Sequence, residues 1–82
     1  MNLYFISQGD NIGCDTYQDA VVAAPDEATA RTMHPENGDI YPLNWNSHSD
    51  WAKHPDNVEV KYIGKAERGT QQSVICASFN AG

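Results

Sequence analysis

The chain has 82 residues and a mass of 9.0 kDa, 40% of it hydrophobic, with 5 Lys and Arg against 11 Asp and Glu. That length holds one domain, since domains commonly need about 100 residues, and a formal charge of -6 argues against binding nucleic acid or an anionic membrane, both of which need positive surface. No apolar run is long enough to span a bilayer, and the opening MNLYFISQGD lacks the basic start and apolar stretch of a secretory leader.

Leu3-Tyr4-Phe5-Ile6 is short, aromatic and β-branched, and Gly9-Asp10-Asn11 follows it. It reads as a strand ended by a turn. Its unbroken apolarity predicts a central strand covered on both faces. A polar connection over 9–18 leads to a second strand, Ala20-Val21-Val22-Ala23-Ala24, and an antiparallel hairpin is the simplest way to join the two.

Pro25-Asp26-Glu27 opens a helix, with proline in the first turn and acids that complement the helix dipole. Ala30, Met33 and His34 fall on one side at i, i+3, i+4, so that face should lie on the sheet. His34-Pro35 ends the helix after two to three turns, because a residue before proline avoids the α region. A helix this short needs the sheet to persist.

Residues 35–57 contain both tryptophans, His48 and His54, and many Asn, Asp and Ser. A long loop in a compact domain is usually functional or hides short structure. Ser49 to Lys53 could form one helical turn, with Ser47 or Ser49 as cap. Trp45 and Trp51 should fold back on the sheet as lids, Trp51 as the one closer to core and Trp45, between Asn44 and Asn46, as the more exposed.

Val58-Glu59-Val60-Lys61-Tyr62-Ile63 alternates, with Val58, Val60 and Tyr62 on the buried side. After a polar turn region, Ser73 to Phe79 is a last strand, apolar on both faces. The order β-β-α-loop-β-β predicts one α+β domain over 1–82: a four-stranded, mainly antiparallel sheet with one short helix in two layers. A chain of this size hides only about 60% of its unfolded surface. Its thin core calls for a homodimer or for close wrapping by the tryptophan loop.

Cys14 and Cys76 are too few for a secreted disulfide scaffold, so they read as reduced thiols, Cys76 buried as a small hydrophobe in its apolar run, with a disulfide between them as the alternative if their Cα atoms come within bridging distance. Cys14, His34, His48, His54 and Cys76 carry atoms that zinc accepts, but no C-x-x-C or H-x-x-x-H spacing joins them, and no metal or cofactor is expected. Asp15 beside Cys14 would raise the thiol pKa and weaken it as a nucleophile. Asp10, Asp15 and Asp19 do not spell a calcium loop, and the glycines of Gly9-Asp10-Asn11-Ile12-Gly13 have no lysine with which to cradle phosphate. Strand aromatics such as Tyr4 and Phe79 lack the basic support that nucleic-acid binding needs. What remains is surface character. Most acids precede residue 60, whereas Lys61, Lys65 and Arg68 come late. An acidic region beside an aromatic loop suits docking on a basic protein, with Asp10, Asp15, Asp19, Asp50, Trp45 and Trp51 as the candidate binding residues. Ordinary solubility charge explains the same acids without a partner.

The segments MNLYFIS, AVVAA, DEATARTMHP, NVEVKYIGKA and especially the tail ICASFNAG together resemble small phage- and prophage-encoded proteins of unknown function. The resemblance covers most of the chain except the tryptophan loop. It implies a bacterial cytoplasmic setting during infection and carries no catalytic residues. Small acidic phage proteins include anti-CRISPR proteins. The leading expectation is therefore a non-enzymatic inhibitor that binds a host defence protein such as a CRISPR effector, with no direct contact to nucleic acid or membrane. A self-associating phage accessory or structural protein is the alternative, and a small metal-dependent enzyme the third.

Overall fold

Strand β1 (Asn2–Gln8) runs antiparallel to β2 (Thr16–Ala24), with Phe5 opposite Val21 and Ser7 opposite Asp19. Both strands are longer than their apolar centres, because Gln8 closes the turn between them. Its side-chain amide donates to the carbonyls of Asn11 and Tyr17, and its Oε1 accepts from the N–H groups of Asp10 and Asn11. The computed structural model describes residues 1–43, 45 and 49–81.

The chain then forms α1 (Glu27–Arg31), a single 3-10 turn (Pro55–Asn57), β3 (Val58–Lys65) and β4 (Ser73–Asn80). The strands make one antiparallel sheet in the order β3-β1-β2-β4. The four-stranded sheet and the short helix expected from the sequence are therefore present. Residues 66–72 carry the chain from one edge of the sheet to the other. Seven extended residues reach about 23 Å, enough for the roughly 14 Å across three strand spacings.

Helix α1 is a little over one turn. Asp26 caps it by accepting from Thr29 N at 2.8 Å, and Arg31 donates to the carbonyl of Val58, which ties the helix to the start of β3. It stops early because the next backbone groups are engaged elsewhere. Met33 forms a β-bridge with Ile40, and Tyr41 N donates to Thr32 O. Ala30, Met33 and His34 are nonetheless buried together on the sheet side, so the expected face is correct although only its first member is helical. The expected turn over 49–53 does not form. Ser49 has φ 51°, and the helical turn lies at Pro55–Asn57 with His54 as its cap. The carbonyls of Asp50 and Trp51 accept from Tyr17 N and Asn11 Nδ2 instead of closing a helix. Ser47 lies outside the described residues.

The core joins Tyr4, Ile6, Ala20, Val22 and Val58 of the sheet to Ala30, Met33, Trp45, Trp51 and Ala52 of the crossover. All of it sits on one face, which corrects the expectation that β1 is covered on both. The segment between β2 and β3 packs on one side only, so Leu3, Phe5 and Ser7 are half-buried on the other. Two further placements differ for the same kind of reason. Tyr62 lies edge-on to Tyr4 at 5.8 Å but sits on an edge strand and is exposed. Cys76 is exposed because β4 is the other edge.

Candidate functional site

The tryptophan loop is held down by a buried polar knot. His34 lies just past α1 and Asp50 just before Trp51, and His34 Nε2 meets Asp50 Oδ1 at 3.0 Å. The other ring nitrogen, Nδ1, accepts from Glu36 N at 3.1 Å. A ring nitrogen that accepts carries no proton, so Nε2 holds the hydrogen and donates it to the carboxylate. Tyr17 stands edge-on to the ring at 6.1 Å, Trp45 at 5.9 Å. Burial, then the nearby carboxylates of Glu36 and Asp50, push the Tyr17 phenol above its usual range. His34 and Asp50 are only 2% and 7% exposed. A pair so enclosed anchors the loop rather than meeting a substrate.

This geometry corrects three of the expected binding residues. Asp50 faces inward because its carboxylate accepts from His34. Trp45 is 2% exposed, and its indole N–H donates to Ala52 O at 2.8 Å. Its polar neighbours in sequence gave the wrong impression, since a loop residue is buried when its ring lands on the sheet. Trp51 is 1% exposed and is core, the role weighed for it above. The loop presents Ile40, Tyr41 and Leu43 to solvent instead, with Tyr41 set edge-on to Trp45 and His54. Sequence reasoning passed over these residues, although the run Ile40-Tyr41-Pro42-Leu43 was the signal that could have found them.

The acids behave differently. The turn between β1 and β2, the 3-10 turn and the start of β3 all meet at one end of the sheet, because Gln8 pairs with Val58 and Thr16 with Asn80. That end carries Asp10 and Asp15 in the turn, Asp56 in the 3-10 turn, and Asp19 and Glu59 on the strands. Asp10 is fixed by Asn57 Nδ2 at 2.8 Å. Asp15 takes φ 59°, a left-handed conformation that aspartate tolerates better than most residues. Asp19 and Glu59 flank Ser7 in one row across the sheet, two strand spacings or about 10 Å apart. Two cations also reach this end: Lys53, whose backbone N–H lies 3.4 Å from Asp10, and Arg31, whose guanidinium donates to the carbonyl of Val58 on the helix side. The opposite end is near balance, with Lys65, Arg68 and the N-terminus against Asp26, Glu27 and Glu67.

The uncovered face joins this acidic end. Phe5 lies at its centre between two shallow grooves, one lined by Ser7, Glu59 and Lys61, the other by Asp19, Val21, Cys76 and Ser78. No three His, Cys, Asp or Glu among the described residues converge to hold a metal, and His48 lies outside those residues. Cys14 and Cys76 are free and exposed. No helix among the described residues is long and apolar enough to cross a membrane. No family model, curated protein or solved structure matches the chain.

Proposed function

We propose that the protein is a non-enzymatic, phage-encoded inhibitor that acts in the bacterial cytoplasm. It binds a host defence protein, a CRISPR effector first among them, on a basic surface meant for nucleic acid. The observation that supports this most is the gathering of Asp10, Asp15, Asp19, Asp56 and Glu59 at one end of the sheet. In sequence these acids spread over fifty residues; the strand register makes them one field. Carboxylates fixed on ordered strands and turns present negative charge without the entropy cost of ordering a flexible tail. Such a field speeds encounter with a positive cleft and sets the orientation of docking.

The test is binding of the purified protein to a panel of purified CRISPR effectors at low ionic strength, where charge contacts are least screened. The reading predicts retention of at least one effector, weakened by salt and reduced by competition when nucleic acid is present with the effector. Absence of retention across the panel at low salt contradicts it. A second reading, a phage accessory protein that self-associates, is favoured by the uncharged edge strand β4.

A further inference from the structure

The two edges of the sheet differ in chemistry. Edge β3 carries Glu59, Lys61 and Lys65, and its register shifts beside Gly64, which has φ 147°. Charges and irregular pairing are the usual devices that stop an edge from accepting another strand. Edge β4 has the sequence SVICASFN, with no charge and no proline. Its Ile75 is 50% exposed and its Phe79 47%. Helix α1 packs mainly on β3, β2 and β1. The pairing of β4 with β2 has two irregularities: one at Ile75, where Val21 pairs with Cys76 but Val22 with Val74, and one at Gln18 of β2, between the Tyr17–Phe79 and Asp19–Ser78 pairs. The extra residue of the second lies on β2, so on β4 itself Cys76 to Asn80 is a continuous run of strand, with one side paired to β2 and the other forming the sheet edge.

We infer that β4 is a dimerisation strand: two copies pair antiparallel through Cys76–Asn80, centred on Ser78, into one continuous eight-stranded sheet. The two-fold axis stands perpendicular to the sheet, so each residue faces one that shares its side. Ser78 meets Ser78 on the uncovered face, flanked by Cys76 against Asn80. Ala77 meets Phe79 on the helix side, a small residue against a large one, twice by symmetry. A second copy is the occupant that the charge favours. A chain of charge -6 repels itself over most of its surface, and β4 is an edge with nothing to repel. The nearest opposed acids, Asp19 of each copy, sit three strand spacings apart, about 14 Å, beyond the screening length of roughly 8 Å at physiological salt. The inference is independent of what the acidic end binds, since that end points along the strands and the pairing runs across them.

Sedimentation velocity on the full chain tests the state, and cross-linking tests the register. The wild type should sediment at twice its 9.0 kDa, more fully as salt is raised. Ser78→Lys should run as a monomer with unchanged circular dichroism, because it opposes two ammonium groups on the axis. In a Cys14→Ser, Cys76→Ser background, Ser78→Cys should form a disulfide-linked dimer on mild oxidation, since directly opposed residues in an antiparallel pair have Cα atoms about 4.5–5.5 Å apart, within bridging range. A wild type that stays monomeric at every concentration overturns the inference. So does a dimer that the Ser78→Cys change fails to bridge, for that dimer would be built on the Phe5 face or elsewhere.

Discussion

His34 Nε2 donates to Asp50 Oδ1 across 3.0 Å, with both side chains buried. The bond joins the end of the helical segment to the tryptophan loop, and its two halves are unequal. Asp50→Ala strands a neutral imidazole N–H, at about 1–3 kcal/mol. His34→Ala strands a buried carboxylate, at about 3–5 kcal/mol, and also removes a ring that Trp45 and Tyr17 pack against. Urea unfolding of the two variants should place His34→Ala clearly below Asp50→Ala. Equal midpoints would mean that Asp50 is not held as a charged partner.

The tryptophans separate by the same logic. Trp45 Nε1 donates to Ala52 O, whereas Trp51 Nε1 is buried with no partner among the described residues. Trp45→Phe loses a hydrogen bond and leaves a buried carbonyl short of a donor, about 1–3 kcal/mol, in addition to the lost volume. Trp51→Phe removes an unpaired N–H along with its volume and should cost less. Trp45→Ala, a change that would spare the fold were the ring exposed, should instead destabilise by about 3–5 kcal/mol. Thermal or urea unfolding reads all three, and a native-like midpoint for Trp45→Ala would place the ring outside the core.

Two groups give the stability a pH dependence of opposite sign. The Thr29 backbone N–H holds the Asp26 carboxyl below its ordinary value of 3.8. A lowered carboxyl contributes stability that is whole above 3.8 and lost as pH falls through the folded value. Tyr17 is raised from 10.0, so its contribution is whole below 10.0 and lost as pH climbs toward the folded value. Urea midpoints across both limbs should show Asp26→Asn flattening the acid slope and Tyr17→Phe the alkaline one. Slopes unchanged in these variants would assign the effects to other groups.

The sequence patterns that located structure were local. Val58 to Tyr62 alternate as a strand does, and Asp26 lies where a helix cap is needed, so β3 and the start of α1 were legible. The His34–Asp50 bond was not, because sixteen residues separate its partners and neither periodicity nor spacing marks them. Trp45 misled for a related reason: Asn44 and Asn46 describe the chain beside it, while its burial is decided by where the loop crosses the sheet. The open face of β1 was hidden because Leu3-Tyr4-Phe5-Ile6 reads alike whether one layer covers it or two. Asp10, Asp15 and Asp19 could be named as a group, but Asp56 and Glu59 join them only through the pairing of β1 with β3.

The most direct test of the docking claim is displacement. A CRISPR effector that retains the protein is loaded with labelled nucleic acid, and its anisotropy is followed as the protein is added. The wild type should release the label. A variant with Asp19, Asp56 and Glu59 all changed to Lys should fold normally and release none, with association slowed and its salt dependence flattened. Label that stays bound under an excess of wild type, or a charge-reversed variant that displaces it equally well, would contradict docking through the acidic end.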